Sequence, residues 1–216
     1  MAVLVPMSVV FKMRCFRLSV RYQPLSKALA YTRVIVAVKD DFEFVLSLVE
    51  CFFEQEEVQN KFNLINQHEF TGWEIWFQIE FASFLQQHKN VSEIIREFGY
   101  SIDKRMSGYQ ERMYIDFLIR KKRSSRSSYI ALEVKQNQSA ASCVKGMMAD
   151  IQKIWKLKQS ENDLRSMWCL GIYPTVTKER IDEVIDKYSE AVGVDLPDRL
   201  ITTKNISNTS FSFTLL

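Results

Sequence analysis

Residues 111–135 read ERMYIDFLIRKKRSSRSSYIALEVK, and this stretch decides the fold. Met113, Ile115, Phe117 and Ile119 recur at every second position, as do Ile130, Leu132 and Val134, which is the period of a half-buried strand. The polar run KKRSSRSS between them supplies a turn, so the segment predicts a β-hairpin. With the turn centred between Ser124 and Ser125, Asp116 lies directly opposite Glu133, and directly opposed residues share one face of a sheet. Lys135, two positions beyond Glu133, shares that face. One face therefore presents Asp116, Glu133 and Lys135; the other presents Ile115, Phe117, Leu132 and Val134.

Two carboxylates about 5 Å apart at Cβ repel one another unless a cation lies between them. Hard oxygen ligands suit Mg²⁺, with Mn²⁺ as the alternative. A lysine beside such an ion has a natural task, to polarise an attacking water or to steady charge developing on a phosphate. The ion itself lowers the pKa of a bound water and neutralises phosphate oxygens.

Outward from the hairpin, residues 73–88 predict a helix whose apolar positions Trp73, Trp76, Phe77, Ile79, Phe81, Phe84 and Leu85 cover most of its circumference, as in a largely buried helix. Glu80 in its middle is then expected to face the hairpin acids and to supply a third carboxylate. Glu74 is the competing acid. It lies in the first turn, where an acid is favoured by the helix dipole alone, so Glu80 is preferred. Upstream, Asp40 and Asp41 predict a helix N-terminus, followed by Phe44, Leu48, Val49 and Phe52 at helical spacing up to the acids of 54–57. Residues 60–72 read as a connection, 92–98 as a short helix, and 34–38 and 9–11 as candidate edge strands. Downstream come a helix over 142–159, a strand over 167–173 stopped by Pro174, a helix over 178–192, and weaker strands over 200–203 and 210–215. The order is α/β, without internal repeats. Residues 71–216 read as the core, and residues 1–70 as an N-terminal segment with a helix, accessory or serving dimerisation.

Composition narrows the chemistry. Of 216 residues 47% are hydrophobic, with 6 Gly and 4 Pro, which excludes a disordered or low-complexity chain. The 29 basic residues nearly balance the 26 acidic ones, so the net charge of +3 says little about partners. Cys15, Cys51, Cys143 and Cys169 form no CxxC pair, which argues against structural zinc and reads as buried or half-buried free thiols. With only His68 and His88 available, catalysis would rest on carboxylates and lysines. Trp73, Trp76 and Trp155 read as core rather than as base-stacking platforms. No apolar run is long enough for a membrane helix. The N-terminus lacks a basic region ahead of its apolar start and is interrupted by Pro6 and Lys12, so it does not read as a signal peptide, and a cytoplasmic location is expected.

Arg120, Lys121, Lys122, Arg123 and Arg126 crowd the hairpin turn, a placement suited to nucleic-acid phosphates. Lys104, Arg105 and Arg112 extend this basic set.

The combination of Ile115-Asp116-Phe117, Leu132-Glu133-Val134-Lys135, a preceding helix carrying Glu80 and a following helix resembles the PD-(D/E)XK nuclease superfamily over about residues 73–173. Ile115 stands where the family name has proline. The resemblance implies a restriction-endonuclease-like core, a central mixed sheet flanked by helices in αβββαβ order. It implies Asp116, Glu133 and Glu80 as Mg²⁺ ligands and Lys135 as the residue assisting the attacking water. Lys153 or Gln152 would be a further polar group on the next helix, with Lys153 taken as a nucleic-acid contact. The activity implied is a DNA endonuclease of the restriction, repair or mobile-element kind, with specificity drawn from residues 1–70, the tail, a homodimer or a partner subunit. Two rivals are a catalytically inactive nucleic-acid-binding or assembly module of the same fold, and an inhibitor or immunity-type protein whose hairpin acids are surface charge.

Overall fold

The hairpin forms in the expected register. Phe117 pairs with Leu132, Leu118 with Ala131 and Ile119 with Ile130, so the same register sets Asp116 against Glu133. The computed structural model describes the backbone of residues 25–101, 112–125, 128–158 and 164–216, and the side chains of these except 25–36, 101, 112, 113 and 153–158. The elements are α1 (Leu25–Phe53), α2 (Glu56–Gln67), α3 (Glu74–Gln87), β1 (Val91–Ser101), β2 (Arg112–Lys121), β3 (Tyr129–Gln136), α4 (Ala140–Lys158), β4 (Leu164–Pro174), α5 (Lys178–Val192), β5 (Thr202–Asn205) and β6 (Phe211–Leu215). Together the strands make one mixed sheet in the order β1-β2-β3-β4-β6-β5. Among the described strands only β3 and β4 run parallel, joined through α4; this is the long crossover that parallel neighbours need. The protein is therefore α/β, a six-stranded mixed sheet flanked by helices.

Alternation along the strands sorts side chains between two layers. Phe117, Ile119, Leu132, Val134, Leu170 and Ile172 join α1, α2 and α3 in one core, where Phe52 meets Phe77 and Phe81 edge-on. Cys169 and Tyr173 point the other way and pack with Val144 and Met147 of α4 and with Ile181, Val184 and Ile185 of α5. On α5, Thr177 accepts the Arg180 N–H at the start, and Gly193, at φ 68°, ends the helix in the left-handed conformation that glycine adopts without strain. Among the described residues no helix is long and apolar enough to cross a membrane.

Several local expectations are corrected. Residues 92–98 belong to β1, not to a short helix: Ile94, Ile95 and Phe98 fit helical spacing, but β1 gains a full antiparallel ladder against β2, and tertiary pairing overrides that local ambiguity. The run 34–38 lies inside α1, which begins well before Asp40 and Asp41, while residues 9–11 lie outside the described residues. Most of 60–72 is α2, amphipathic with Val58, Phe62 and Ile65 buried. The helix over 73–88 is less enclosed than its composition implied, since Ile75 is 68% and Ile79 54% exposed. Cys143 and Cys169 are buried thiols, but Cys51 is exposed; Cys15 lies outside the described residues.

Candidate active site

The pairing of β2 with β3 stops at Phe117 and Leu132, and the two strands part to leave a fork. Past it, the N–H groups of Val134 and Gln136, two residues apart and so on the same side of the strand, no longer meet β2. Carboxylates take them instead: Val134 donates to Asp116 Oδ2 at 2.8 Å and Gln136 to Glu74 Oε2 at 3.2 Å. An unmet buried N–H costs about 1–3 kcal/mol, so two acids complete an edge that the strand partner abandons. On the other side of β2, the ladder with β1 passes over the Glu97–Asp116 position, and Glu97 holds the left-handed φ of 49°.

Asp116 and Glu133, opposed across the fork, lie close enough for each carboxyl to act on the other's titration. Glu133 is 6% exposed. Burial, then the charges of Asp116 and Asp150, push its pKa up to about 9. Burial likewise raises Asp116, outweighing the Val134 N–H and Lys135. Glu74 is raised for the same first reason, against the Gln136 N–H and Lys135, with Asp116 and Asp150 adding to the rise. Lys135 lies among these acids. Burial works against its charge, but its ion pair with Asp150 and the charges of Glu74 and Glu133 hold its pKa above the ordinary lysine value. Its Nζ is 2.9 Å from Asp150 Oδ2.

Of the residues singled out from the sequence, Asp116, Glu133 and Lys135 are thus brought together, and Glu80 is not. Glu80 accepts from Lys61 Nζ at 2.7 Å and from Trp76 Nε1 at 3.3 Å, on the α2 side of α3. The helix acid in the cluster is Glu74. Its position continues the buried stripe Phe77, Gln78, Phe81 and Leu85, whereas six positions later Glu80 points about 120° away around the helix. Asp150 is the other acid that the sequence reading did not select. The spacing Cys143, Met147, Asp150 along α4, three of its buried residues, is the signal that could have found it.

The basic hairpin turn divides. Lys121 sits five residues along β2 from Asp116, about 16 Å at the rise of a strand. It is not a free phosphate contact: its Nζ lies 3.6 Å from Asp41 Oδ1, donates to the Asp40 carbonyl and stands 4.7 Å from the Phe44 ring centre, all on α1. Lys122 and Arg123 are exposed at the turn. Arg126 lies outside the described residues, and Lys153 is described only by its backbone position on α4.

Among the described residues no group of three or more His, Cys, Asp or Glu gathers tightly enough to enclose a metal ion. Asp116 and Glu133 form a two-carboxylate donor set, and Mg²⁺ characteristically keeps several waters and binds through one or two carboxylates together with substrate phosphates. A buried pair of carboxyls that can exchange its protons for a divalent cation is the donor chemistry such an ion takes, so these residues fit it. Comparisons of the chain with protein-family models, with curated proteins and with solved structures returned no match.

Proposed function

We propose that this chain is a Mg²⁺-dependent nuclease with a restriction-endonuclease-like core, cleaving phosphodiester bonds of DNA as an endonuclease. The observation that carries the reading is the meeting of Asp116 and Glu133 at the strand fork with Lys135 on the same face. The succession α3, β1, β2, β3, α4, β4 supports the αβββαβ core. The burial of Glu133 favours this reading over one in which the hairpin acids are solvated surface charge, because an uncompensated buried carboxylate pair is costly to keep.

Asp116 and Glu133 would hold the ion, and Glu74, fixed by the Gln136 N–H, stands beside them as the third acid. When bound, Mg²⁺ supplies charge neutralisation at the phosphate and a water of lowered pKa. Lys135 presents a cation to the phosphate oxygens or to the attacking water, where charge develops during in-line displacement. Lys122 and Arg123 provide exposed cations for the flanking backbone.

The test is relaxation of supercoiled plasmid with Mg²⁺, with Mn²⁺ and with EDTA. Cleavage is expected with either ion and not with EDTA. Asp116→Ala and Lys135→Ala are each expected to lower the rate about 100-fold or more. Glu74→Gln should fall with them, while Glu80→Gln should cleave like the wild type. Cleavage that survives both Asp116→Ala and Lys135→Ala would sink the site.

A further inference from the structure

α4 meets β3 at a glycine. A Cβ on Gly146 would stand 3.6 Å from Lys135 Cδ and 3.8 Å from its Cγ, so the alkyl stem of the lysine lies against the helix at that turn. Asp150, four residues later and therefore on the same helix face, reaches Lys135 Nζ at 2.9 Å. The Asp150 side chain is 10% exposed and that of Lys135 32%, so the pair is partly shielded from solvent and screened less than a surface ion pair. A lysine stem has four flexible carbons, and the contacts along α4 restrain it at both the middle and the tip.

We propose that Asp150 is a positioning residue for Lys135: from α4 it fixes the ammonium beside the Asp116–Glu133 pair, so that the cation meets the phosphate or the attacking water in one place. This inference rests on the nuclease reading and assigns that site a residue outside the hairpin and α3. Asp150 holds the lysine and does not itself touch the reacting atoms.

Asp150→Asn, which keeps the size of the side chain, and Asp150→Glu are to be compared with the wild type in three measurements. These are steady-state plasmid cleavage with Mg²⁺, thermal unfolding, and the rate of reductive methylation of Lys135 followed by peptide mass spectrometry. For Asp150→Asn, kcat per folded molecule is expected to fall about 10- to 100-fold while KM for DNA stays near wild type, with Tm lowered by the loss of the ion pair. Lys135 should be methylated faster in this variant, and Asp150→Glu should recover part of the rate. A wild-type kcat in Asp150→Asn, or methylation of Lys135 at the wild-type rate, overturns the inference while leaving the nuclease reading in place. Should Asp150→Asn fail to fold, Asp150→Glu decides, and Lys135 kinetics and labelling identical to wild type in that variant overturn the inference. A wild-type chain that cleaves no nucleic acid overturns the nuclease reading and the catalytic role of Asp150 with it.

Discussion

Glu133 is the residue on which the site turns, because a carboxyl buried against another carboxyl gains by keeping its proton. Its folded pKa, pushed up by burial and by Asp116 and Asp150, lies above the ordinary glutamate value of 4.5. The folded chain therefore binds more protons than the unfolded chain between about pH 4.5 and pH 9, and stability must fall as pH rises through that window. Asp116 and Glu74 are raised as well and act in the same direction. In EDTA, the melting temperature of the wild type is expected to decline from about pH 5 to pH 9, and Glu133→Gln should flatten most of that slope. Mg²⁺ should restore the melting temperature at the alkaline end, since it favours the ionised pair. Thermal melts across pH settle the matter, and a wild-type curve as flat as that of Glu133→Gln would refute the buried pair.

The elements matter for how closely they approach. Gly171 of β4 lies under α4 where a Cβ would run into Met147 Sδ and stand 3.0 Å from Cys143 Sγ. At Gly146 the nearest atom is Lys135 Cδ at 3.6 Å, an ordinary contact. The two glycines should therefore respond oppositely to the same change. Gly171→Ala is expected to cost about 1–3 kcal/mol by overpacking. Gly146→Ala should be neutral or gain up to about 1 kcal/mol from helix propensity. Urea unfolding of the two variants measures this, and equal effects would contradict the described approach of α4 to the sheet. At this scale the hairpin was legible, because a period of two is a local property that, with the turn position, fixes the register. The strand β1 was not, since Ile94, Ile95 and Phe98 satisfy helical spacing and only the ladder to β2 decides between the two.

At the scale of the whole molecule, α1 is tied to the sheet by a buried carboxylate. Asp41, 1% exposed, accepts from Arg165 Nε at 2.6 Å and from Ser166 Oγ at 2.9 Å on β4, with Lys121 of β2 nearby. Arg165→Ala strands that charge and is expected to destabilise the fold by about 3 kcal/mol. Lys121→Ala should cost less, because its ion pair is longer at 3.6 Å. Chemical denaturation gives the ranking, and cleavage per folded molecule should be unchanged in Arg165→Ala. An Arg165→Ala variant as stable as wild type would show that Asp41 does not fasten α1. The same contacts explain why a lysine in a basic turn, read from sequence as a phosphate contact, belongs to the interior scaffold.

The sequence by itself determined the hairpin, its register and the common face of Glu133 and Lys135, because strand alternation and turn position are local and leave little freedom; Ile115, read as sharing a face with Phe117, packs instead with Leu118 and Ala131. Tertiary structure alone decided which glutamate of α3 joins them, what holds Lys135 and where Lys121 points. α3 is apolar around most of its circumference, so its composition does not say which side meets the sheet, and the six positions between Glu74 and Glu80 separate them by about 120°. The choice fell to Glu74 because it continues the buried stripe and reaches the N–H of Gln136 that β2 leaves unpaired.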